Sequence, residues 1–232
     1  MKPAAEFDSF VSSYEADLDK ALSLTGEGQD YFARGRVTWL ARCLRDLGVK
    51  PRSALDYGCG IGGTAVLLKD WVGVESVVGL DPSVRSLEIA RSRCGNPGIR
   101  FLKFEDYCPC GEIDVVYCNG VFHHIPVAER GRATQYIFRS LRSGGLFALW
   151  ENNPWNPGAR WVMSHCEFDR DAVTLTPPEA AALLRAEGFQ VISTDFLFIF
   201  PAFLKFLRFL EAGLSRFPCG AQYMVLARKP IS

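Results

Sequence analysis

The stretch LDYGCGIGG, residues 55–63, decides the fold. It follows the apolar start of a strand, and the residues after it, from Thr64 onward, have the apolar spacing of a helix. Glycines without side chains let the backbone approach a ligand closely, and the start of a helix favours negative charge. The stretch therefore predicts a ligand-binding turn between a first strand and its helix.

The spacing of three glycines in this turn allows one interpretation. Gly58, Gly60 and Gly63 satisfy the pattern GxGxxG, and Asp81 follows about twenty residues later at the end of a second strand. In a strand–turn–helix unit this pattern is typical of dinucleotide binding. An NAD(P)-dependent oxidoreductase is therefore one candidate function.

The segments around the turn alternate between short apolar strands and helices. The predicted strands are SALDY, SVVGLD, IRFLKF, IDVVYC and GLFALWE, and the predicted helices between them are GGTAVLLKDWV, SVRSLEIARSR and VAERGRATQYIFRSL. This alternation predicts a parallel sheet with helices on both faces. Towards the C-terminus the order becomes a helix closed by Gly188, the strand QVISTDFLFIF, an extra helix over 201–217 and the last strand AQYMVLARK.

The 232 residues predict a single domain in three parts. Residues 1–50 form an N-terminal helical cap with helices over Phe7–Leu24 and about Asp30–Leu47, the second ending at Gly48. Residues 51–150 form the core, and residues 151–232 form the half that faces the substrate.

Charge and cysteine content narrow the class of protein. Lys and Arg together number 26, as do Asp and Glu, so a nucleic-acid partner is not expected. The acidic N-terminus has no apolar signal segment, and we expect a cytoplasmic protein whose eight cysteines are reduced. Cys108-Pro-Cys110 is spaced too tightly for an ordinary zinc site, so no metal is predicted there.

The glycine turn also resembles the signature of class I S-adenosylmethionine-dependent methyltransferases, an acidic residue followed by GxGxG. Here that run is Asp56-Tyr-Gly58-Cys-Gly60-Ile-Gly62. The resemblance implies S-adenosyl-L-methionine as the cofactor and further cofactor-binding residues after the next strands. These are Asp81 with Pro82 for the ribose, Asp106 with Tyr107 for the adenine, and Asn119 at the end of the fourth strand.

The resemblance also implies a doubly wound α/β fold. Its seven-stranded, mostly parallel sheet has the order 3-2-1-4-5-7-6, with an antiparallel last strand. The helix predicted over 201–217 departs from the minimal fold, which has a tight turn there. Asp56 has two open roles, because its carboxylate could hold the glycine turn or reach the cofactor's amino group.

NGVFHHIP, residues 119–126, carries the candidate catalytic residues His123 and His124. A hydroxyl acceptor gains from a general base, and histidine is suited to that near neutral pH. One of the two is predicted to face the acceptor as a base or an orienter, and the alternative is that both pack within the loop. Adjacent side chains are expected to point in different directions, so no metal site is predicted.

The stretch WENNPWNPGARW, residues 150–161, is the second candidate for acceptor contact. We expect a loop whose polar and aromatic side chains shape the acceptor pocket, with a rigid surface loop as the alternative. The candidate substrate residues are Glu151, Asn152, Trp155 and His165. In the cap, Tyr14, Tyr31 and Arg34 could close over the cofactor.

The segment PAFLKFLRFLEAGLSRFP, residues 201–218, is rich in Phe and Leu with a narrow polar stripe. It has too many charges for a transmembrane span. It is therefore predicted to pack on the sheet, to form a homodimer through residues 196–217, or to make a peripheral lipid contact.

Together these features predict methyl transfer from S-adenosyl-L-methionine to oxygen or nitrogen of a small-molecule or a lipid- or sugar-linked metabolite. Two alternatives stay open. They are the NAD(P)-dependent oxidoreductase and a non-catalytic module that binds S-adenosylmethionine.

Overall fold

A computed structural model describes residues 25–166, 169 and 171–231. The predicted helix Phe7–Leu24, with Tyr14, lies outside the described residues. The strands are β1 Ser53–Tyr57, β2 Ser76–Leu80, β3 Ile99–Leu102, β4 Ile113–Asn119, β5 Leu141–Asn152, β6 Gln190–Leu197 and β7 Gln222–Arg228. The α-helices are α1 Gln29–Asp46, α2 Gly63–Leu67, α3 Val84–Arg93, α4 Arg130–Ser140, α5 Pro157–His165, α6 Pro177–Ala186 and α7 Glu211–Leu214.

The seven strands form one sheet in the order β3-β2-β1-β4-β5-β7-β6, which confirms the predicted fold. All neighbours are parallel except β7, which runs antiparallel to both β5 and β6. A dinucleotide-binding fold has the order 3-2-1-4-5-6 and inserts no antiparallel strand between the fifth and sixth. The topology therefore favours the methyltransferase-like interpretation over the oxidoreductase.

Successive residues of β4 supply the two cores on opposite faces of the sheet. Val115 and Tyr117 belong to the core beneath α1, and Val116 and Cys118 belong to the core beneath α4 and α6. All four are almost fully buried. A strand that is buried on both faces reads as a continuous apolar run, because successive side chains alternate between the faces. Packing on both faces of the sheet thus fixes the carboxyl end of β4.

Helix α1 connects the first core to the last strand. Its buried Arg36 donates from Nε to the hydroxyl of Tyr117 at 3.0 Å and from Nη1 to Oε1 of Gln222 at 2.8 Å. The helix ends as expected, because Gly48 takes a φ of +67° that favours glycine. Arg36 thereby brings a positive charge to the edge where β1 and β4 end.

The prediction of one continuous helix over 201–217 is wrong. The segment is a 3₁₀-helix over Ala202–Leu210 that kinks at Leu204, followed by the short α7. A 3₁₀-helix has three residues per turn, so Phe203, Phe206 and Phe209 align along one edge. Their side chains are 67–77% exposed, so this edge does not pack on the sheet.

Two further features bear on the predicted surfaces. In the described part of the chain no helix combines the length and the apolar character that spanning a bilayer requires. The stretch 150–161 is also only partly a loop, since β5 continues to Asn152 and α5 begins at Pro157. Asn156 caps α5, because its side chain accepts a hydrogen bond from the backbone of Ala159 at 2.9 Å.

Candidate functional site

A cavity of about 1120 Å³ opens at the carboxyl ends of β1 and β4, where parallel α/β sheets bind their ligands. One end of its wall is the glycine turn after β1, and the other end is the turn after β4. Aromatic residues from α1 and from the segment after β6 complete the mouth. The lining includes Tyr31, Gly58, Cys59, Gly60, Asn119, Gly120, His123, His124, Asn152, Asp169, Phe198, Phe200, Phe203 and Arg208.

The glycine turn is held by the neighbouring strand. The backbone N–H groups of Gly58 and Cys59 both donate to the carbonyl of Leu80, at 2.8 and 2.9 Å. Asp81 accepts from the backbone N–H of Gly60 at 2.8 Å with Oδ2, and from that of Ser83 at 2.9 Å with Oδ1. Ser83, rather than Asp81, is the N-cap of α3. Asp81 therefore stabilises both the glycine turn and the start of α3.

Two glycines in this turn have different requirements. Gly58 has a φ of +79°, and a Cβ at this position would lie 2.3 Å from Cγ2 of Val121. Gly60 has a φ of +51°, and a Cβ added to it would have no atom within 4 Å, so this residue borders open space. Gly58 is thus needed for close packing against the turn after β4, while Gly60 leaves room for a ligand.

Asp56 is the buried acidic residue that precedes the turn. Its Oδ2 has no hydrogen-bond partner among the described residues, and the glycine turn is held by Leu80 and Asp81 instead. Burial and the nearby charge of Asp81 raise the pKa of Asp56 to about 7, against the opposing effect of Arg36. A buried carboxylate without a partner suits a cationic ligand group, such as the amino group of S-adenosylmethionine. This oxygen of Asp56 therefore does not hold the glycine turn, and Asp56 is not among the residues that line the cavity.

The other predicted cofactor residues differ in their placement. Asn119 lines the cavity, and its buried Oδ1 has no partner among the described residues. Asp106 is exposed in a 3₁₀ turn just after β3, and the ring of Tyr107 lies 6.2 Å from that of Tyr136. Six of the predicted cofactor residues are not among those that line the cavity: Asp56, Gly62, Asp81, Pro82, Asp106 and Tyr107.

The turn after β4 brings the two histidines into the site. Gly120 takes a φ of +66°, and a 3₁₀ turn covers Phe122–His124. Glu151, buried near the end of β5, accepts from the backbone N–H of Phe122 at 2.8 Å and from Nδ1 of His123 at 2.5 Å. One carboxylate on a neighbouring strand therefore fixes both the turn and the orientation of the His123 ring.

Arg130 and the segment around Val173 hold the same turn from behind. Buried Arg130 donates to the carbonyls of Phe122 and Ile125, each at 3.1 Å, and also to the carbonyl of Val173. The backbone N–H of Val173 donates to the carbonyl of His123 at 2.9 Å. These bonds place Val173 directly beside the histidine turn.

Asp169 comes from that segment and meets both histidine rings. Its Oδ1 lies 3.4 Å from Nε2 of His123 and 3.4 Å from Nε2 of His124. The two ring centroids are 4.2 Å apart. The expectation that the adjacent side chains diverge is therefore wrong, because the tight 3₁₀ turn directs both rings to one point. Neither Asp169 nor Arg130 was predicted. Arg130 follows the turn closely along the chain, whereas Asp169 lies 46 residues after His123.

The charges of this cluster act in opposite directions on the two histidines. Burial lowers the pKa of His123, but Glu151 and Asp169 outweigh it and raise that pKa to about 10. Burial lowers the pKa of His124, and neighbouring His123 adds to the effect. Burial would raise the pKa of Asp169, yet hydrogen bonds to both histidines hold it well below its usual range.

The four predicted substrate residues divide into two groups. Asn152 lines the cavity, and Glu151 lies behind His123 as its hydrogen-bond partner. Trp155 is half exposed, and His165 is exposed and stacks on Trp161 with centroids 4.1 Å apart. The structure does not bring Trp155 or His165 to the cavity, because they precede and end the helix α5.

Sequence comparisons match part of this chain to a known type of domain. Residues 54–145 match the family model described as a methyltransferase domain. The trans-aconitate 2-methyltransferase of Rhizobium rhizogenes is 33% identical over 102 residues, covering 41% of this chain and 37% of that protein. The ribosomal protein L11 methyltransferase of Burkholderia ambifaria is 36% identical over 135 residues, covering 57% and 41%. The chain thus spans about two fifths of the length of these curated relatives.

Solved structures share the fold at low identity. A methyltransferase of Thermotoga maritima matches with a TM-score of 0.66 and 24% identity, covering 96% of this chain and 97% of that one. One from Mesorhizobium loti matches with a TM-score of 0.59 and 20% identity, covering 81% and 96%. The [4+2]-cyclase SpnF also matches, with a TM-score of 0.60 and 16% identity, covering 84% and 81%.

Proposed function

We propose that this chain, whose residues 54–145 form a class I methyltransferase domain, transfers a methyl group from S-adenosylmethionine to oxygen or nitrogen of a small-molecule or a lipid- or sugar-linked metabolite. One observation carries this proposal. A single cavity joins the glycine turn, which suits the cofactor, to the cluster of His123, His124 and Asp169, which suits an acceptor.

The residues of the cofactor end would bind S-adenosylmethionine through complementary groups. The cofactor supplies an electrophilic methyl on a sulfonium when it is bound. Asp56 accepts from its amino group, the backbone at Gly58, Gly60 and Gly62 lets it approach closely, and Asn119 faces its reactive end. Asp81 with Pro82, and Asp106 with Tyr107, complete the proposed set around the ribose and the adenine. Among these, Asp81 also holds Gly60 in position.

The histidine turn would hold the acceptor in line with the methyl group. Direct displacement at a sulfonium depends first on alignment, which a pocket with fixed polar groups provides. Either histidine contacts the acceptor's oxygen or nitrogen as an orienter, and only His124, whose pKa burial lowers, suits the role of a base. Asn152 lines the same wall. Glu151 and Asp169 orient the rings, so the acceptor meets a rigid pair rather than mobile side chains.

The size of the cavity supports a small acceptor. Ligand pockets have volumes of roughly 300–1000 Å³, so about 1120 Å³ accommodates a cofactor and a second small molecule. The curated relatives bear names that specify trans-aconitate and a ribosomal protein, and they therefore point to different acceptor classes. The balanced charge and the volume of the cavity favour the small molecule.

Binding of S-adenosylmethionine without methyl transfer is the second candidate. The match to a protein named as a [4+2]-cyclase supports this candidate, because that protein shares the fold and bears the name of a different reaction. In this case the cavity would bind both molecules but the methyl group would stay on the cofactor.

The test is methyl transfer from labelled S-adenosylmethionine to a metabolite extract, followed by identification of the labelled product. We expect a labelled small molecule that disappears with Asp56→Asn and persists with His165→Asn, a variant outside the cavity. Calorimetry with S-adenosylhomocysteine and with NAD runs in parallel. Tight binding of the former with no labelled product would support the second candidate, and binding of NAD alone would contradict both.

A further inference from the structure

We propose that His123, His124 and Asp169 bind a divalent transition-metal ion in the wall of the cavity. Two imidazoles and one carboxylate converge there from segments far apart in the chain, and their candidate ligand atoms all lie within 4.8 Å of one another. Three such ligands with remaining positions open to a ligand are typical of catalytic zinc sites. This inference reverses the expectation from the sequence that no metal binds.

The distances match those between ligands of a bound ion. Ligands about 2.1 Å from a tetrahedral ion lie about 3.4 Å from one another. Oδ1 of Asp169 is 3.4 Å from Nε2 of each histidine. The ligand atoms of the two histidines lie within 4.8 Å of each other, and the backbone of the turn directs both rings towards Asp169.

Glu151 supplies the outer partner that metal-binding histidines usually have. Nδ1 of His123 donates to its Oε2 at 2.5 Å, which leaves Nε2 of the same ring directed at Asp169. A carboxylate on the far nitrogen fixes the tautomer and raises the basicity of the nitrogen that binds the metal. Glu151 is itself held by the backbone N–H of Phe122, so its orientation does not depend on the ion.

The charge of the buried cluster also fits a divalent cation. Glu151 and Asp169 carry two negative charges, and their side chains are 1% and 11% exposed. A divalent ion bound beside these two carboxylates would balance their charge. Buried charges are stable when they are paired or coordinate a metal.

The open side of the proposed site faces the acceptor. All three ligands line the cavity that also contains Asn119 and the glycine turn. Resting on the proposed function, a bound ion would coordinate the acceptor's hydroxyl and lower its pKa. Its proton would pass to water in the cavity, and the oxygen would form a C–O bond as the S–CH₃ bond breaks. The electron pair of that bond would go to sulfur, which leaves neutral S-adenosylhomocysteine.

The test measures metal binding without cofactor or acceptor, on tag-free protein stripped with chelator. Cobalt(II) is titrated into the Cys108→Ser/Cys110→Ser variant, because these two exposed thiols would otherwise bind the ion. We expect one equivalent bound, with a visible absorption spectrum of nitrogen and oxygen ligands. Zinc(II) should displace it.

Matched variants locate the site. Asp169→Asn and His124→Asn should abolish stoichiometric binding, Glu151→Gln should weaken it about 10- to 100-fold, and His165→Asn should leave it unchanged. Circular dichroism confirms that each variant is folded. If Asp169→Asn were unfolded, the graded loss in Glu151→Gln and the unchanged His165→Asn would still decide the question.

Two results would overturn the proposal. One is no stoichiometric cobalt binding at micromolar concentrations in the folded protein. The other is binding that is unaffected by Asp169→Asn and His124→Asn. Methyl transfer at full rate by the metal-free protein would rule out a role of the ion in the reaction but leave the proposed function intact. Metal binding without any methyl transfer would support the metal site and contradict the proposed function.

Discussion

The glycine turn after β1 and the histidine turn after β4 lie side by side at one edge of the sheet, yet they are held in opposite ways. Gly58 and Cys59 donate to Leu80, and Gly60 donates to Asp81, all within about twenty-five residues. The histidine turn depends on Glu151, Arg130 and Asp169, which come from three separate later segments. One turn is a local motif, and the other is an assembly of distant parts.

This difference shows what fixes the geometry of each half of the site. The glycine turn needs backbone conformation and open space, which glycine supplies by itself. The histidine turn needs side chains in fixed directions, which only the folded surroundings supply. We therefore expect cofactor binding and acceptor chemistry to separate when the two turns are changed independently.

The largest effect should come from removing both imidazoles. His123→Asn with His124→Asn should lower kcat about 10²- to 10⁴-fold, the range associated with losing a general acid–base group. The affinity for S-adenosylhomocysteine should change less than about threefold, because the glycine turn is held without the histidines. Steady-state kinetics and calorimetry measure the two quantities, and unchanged turnover would show that the histidines only pack.

The next largest effect should come from Gly58→Ala, a change in the glycine turn that should also disturb the histidine turn. Gly58→Ala places a Cβ 2.3 Å from Cγ2 of Val121, which precedes the histidines, and it strains a φ of +79°. We expect a loss of about 1–3 kcal/mol in the free energy of unfolding, with cofactor binding and turnover both reduced.

Gly60→Ala is the matched control for this change. It has a similar φ of +51° but open space around the new Cβ. Urea denaturation should show about 1 kcal/mol of loss, confined to backbone strain. Equal losses in the two variants would mean that contact with Val121 does not matter.

A smaller and pH-dependent effect should come from Asp56. Its pKa of about 7 is raised above the unfolded value of about 3.8, so its contribution to stability is present below pH 4 and is lost as the pH rises through 7. Asp56→Asn should therefore stabilise the free protein at pH 8 by about 2 kcal/mol relative to its effect at pH 5.

Cofactor binding should show the opposite sign at the same residue. The amino group of S-adenosylhomocysteine favours the ionised Asp56, so affinity should weaken as the pH falls below 7. In Asp56→Asn the affinity should be lower and independent of pH over that range. Calorimetry from pH 5.5 to 8 measures this, and a parallel slope in both proteins would assign the titration to another group.

The smallest effect should come from the exposed edge of the 3₁₀-helix. Phe206 and Phe209 are 67% and 77% exposed, so Phe206→Ser with Phe209→Ser should change the free energy of unfolding by less than about 0.5 kcal/mol. Sedimentation with and without lipid vesicles tests the predicted homodimer and lipid contact on the same protein. Loss of either association in the variant would assign that contact to this edge.

The sequence predicted the glycine turn and the strand order for a physical reason. The glycine run and Asp81 act through nearby backbone, so their spacing along the chain nearly equals their arrangement in space. The strand order followed from the family resemblance, and the sheet confirms it.

At the acceptor end the sequence indicated His123, His124, Glu151 and Asn152 but not Asp169, because this partner meets the histidines only after folding. Asp169 lies 46 residues after His123, in a segment without a motif, and it reaches the site because Val173 pairs with the backbone of His123. The start of α5 at Pro157, which leaves Trp155 and His165 outside the cavity, likewise depends on the Asn156 cap in a stretch that reads as a loop.

The two carboxylate residues beside His123 should tolerate sequence change to different degrees. Glu151 pairs with Tyr223 inside the sheet, so a slip of one residue would turn it to the opposite face and is strongly disfavoured. Asp169 sits on a connecting segment, where insertions and exchanges are better tolerated. Homologues could therefore change the segment after α5, and Asp169 with it, while β5 keeps Glu151 and the His123 ring in place.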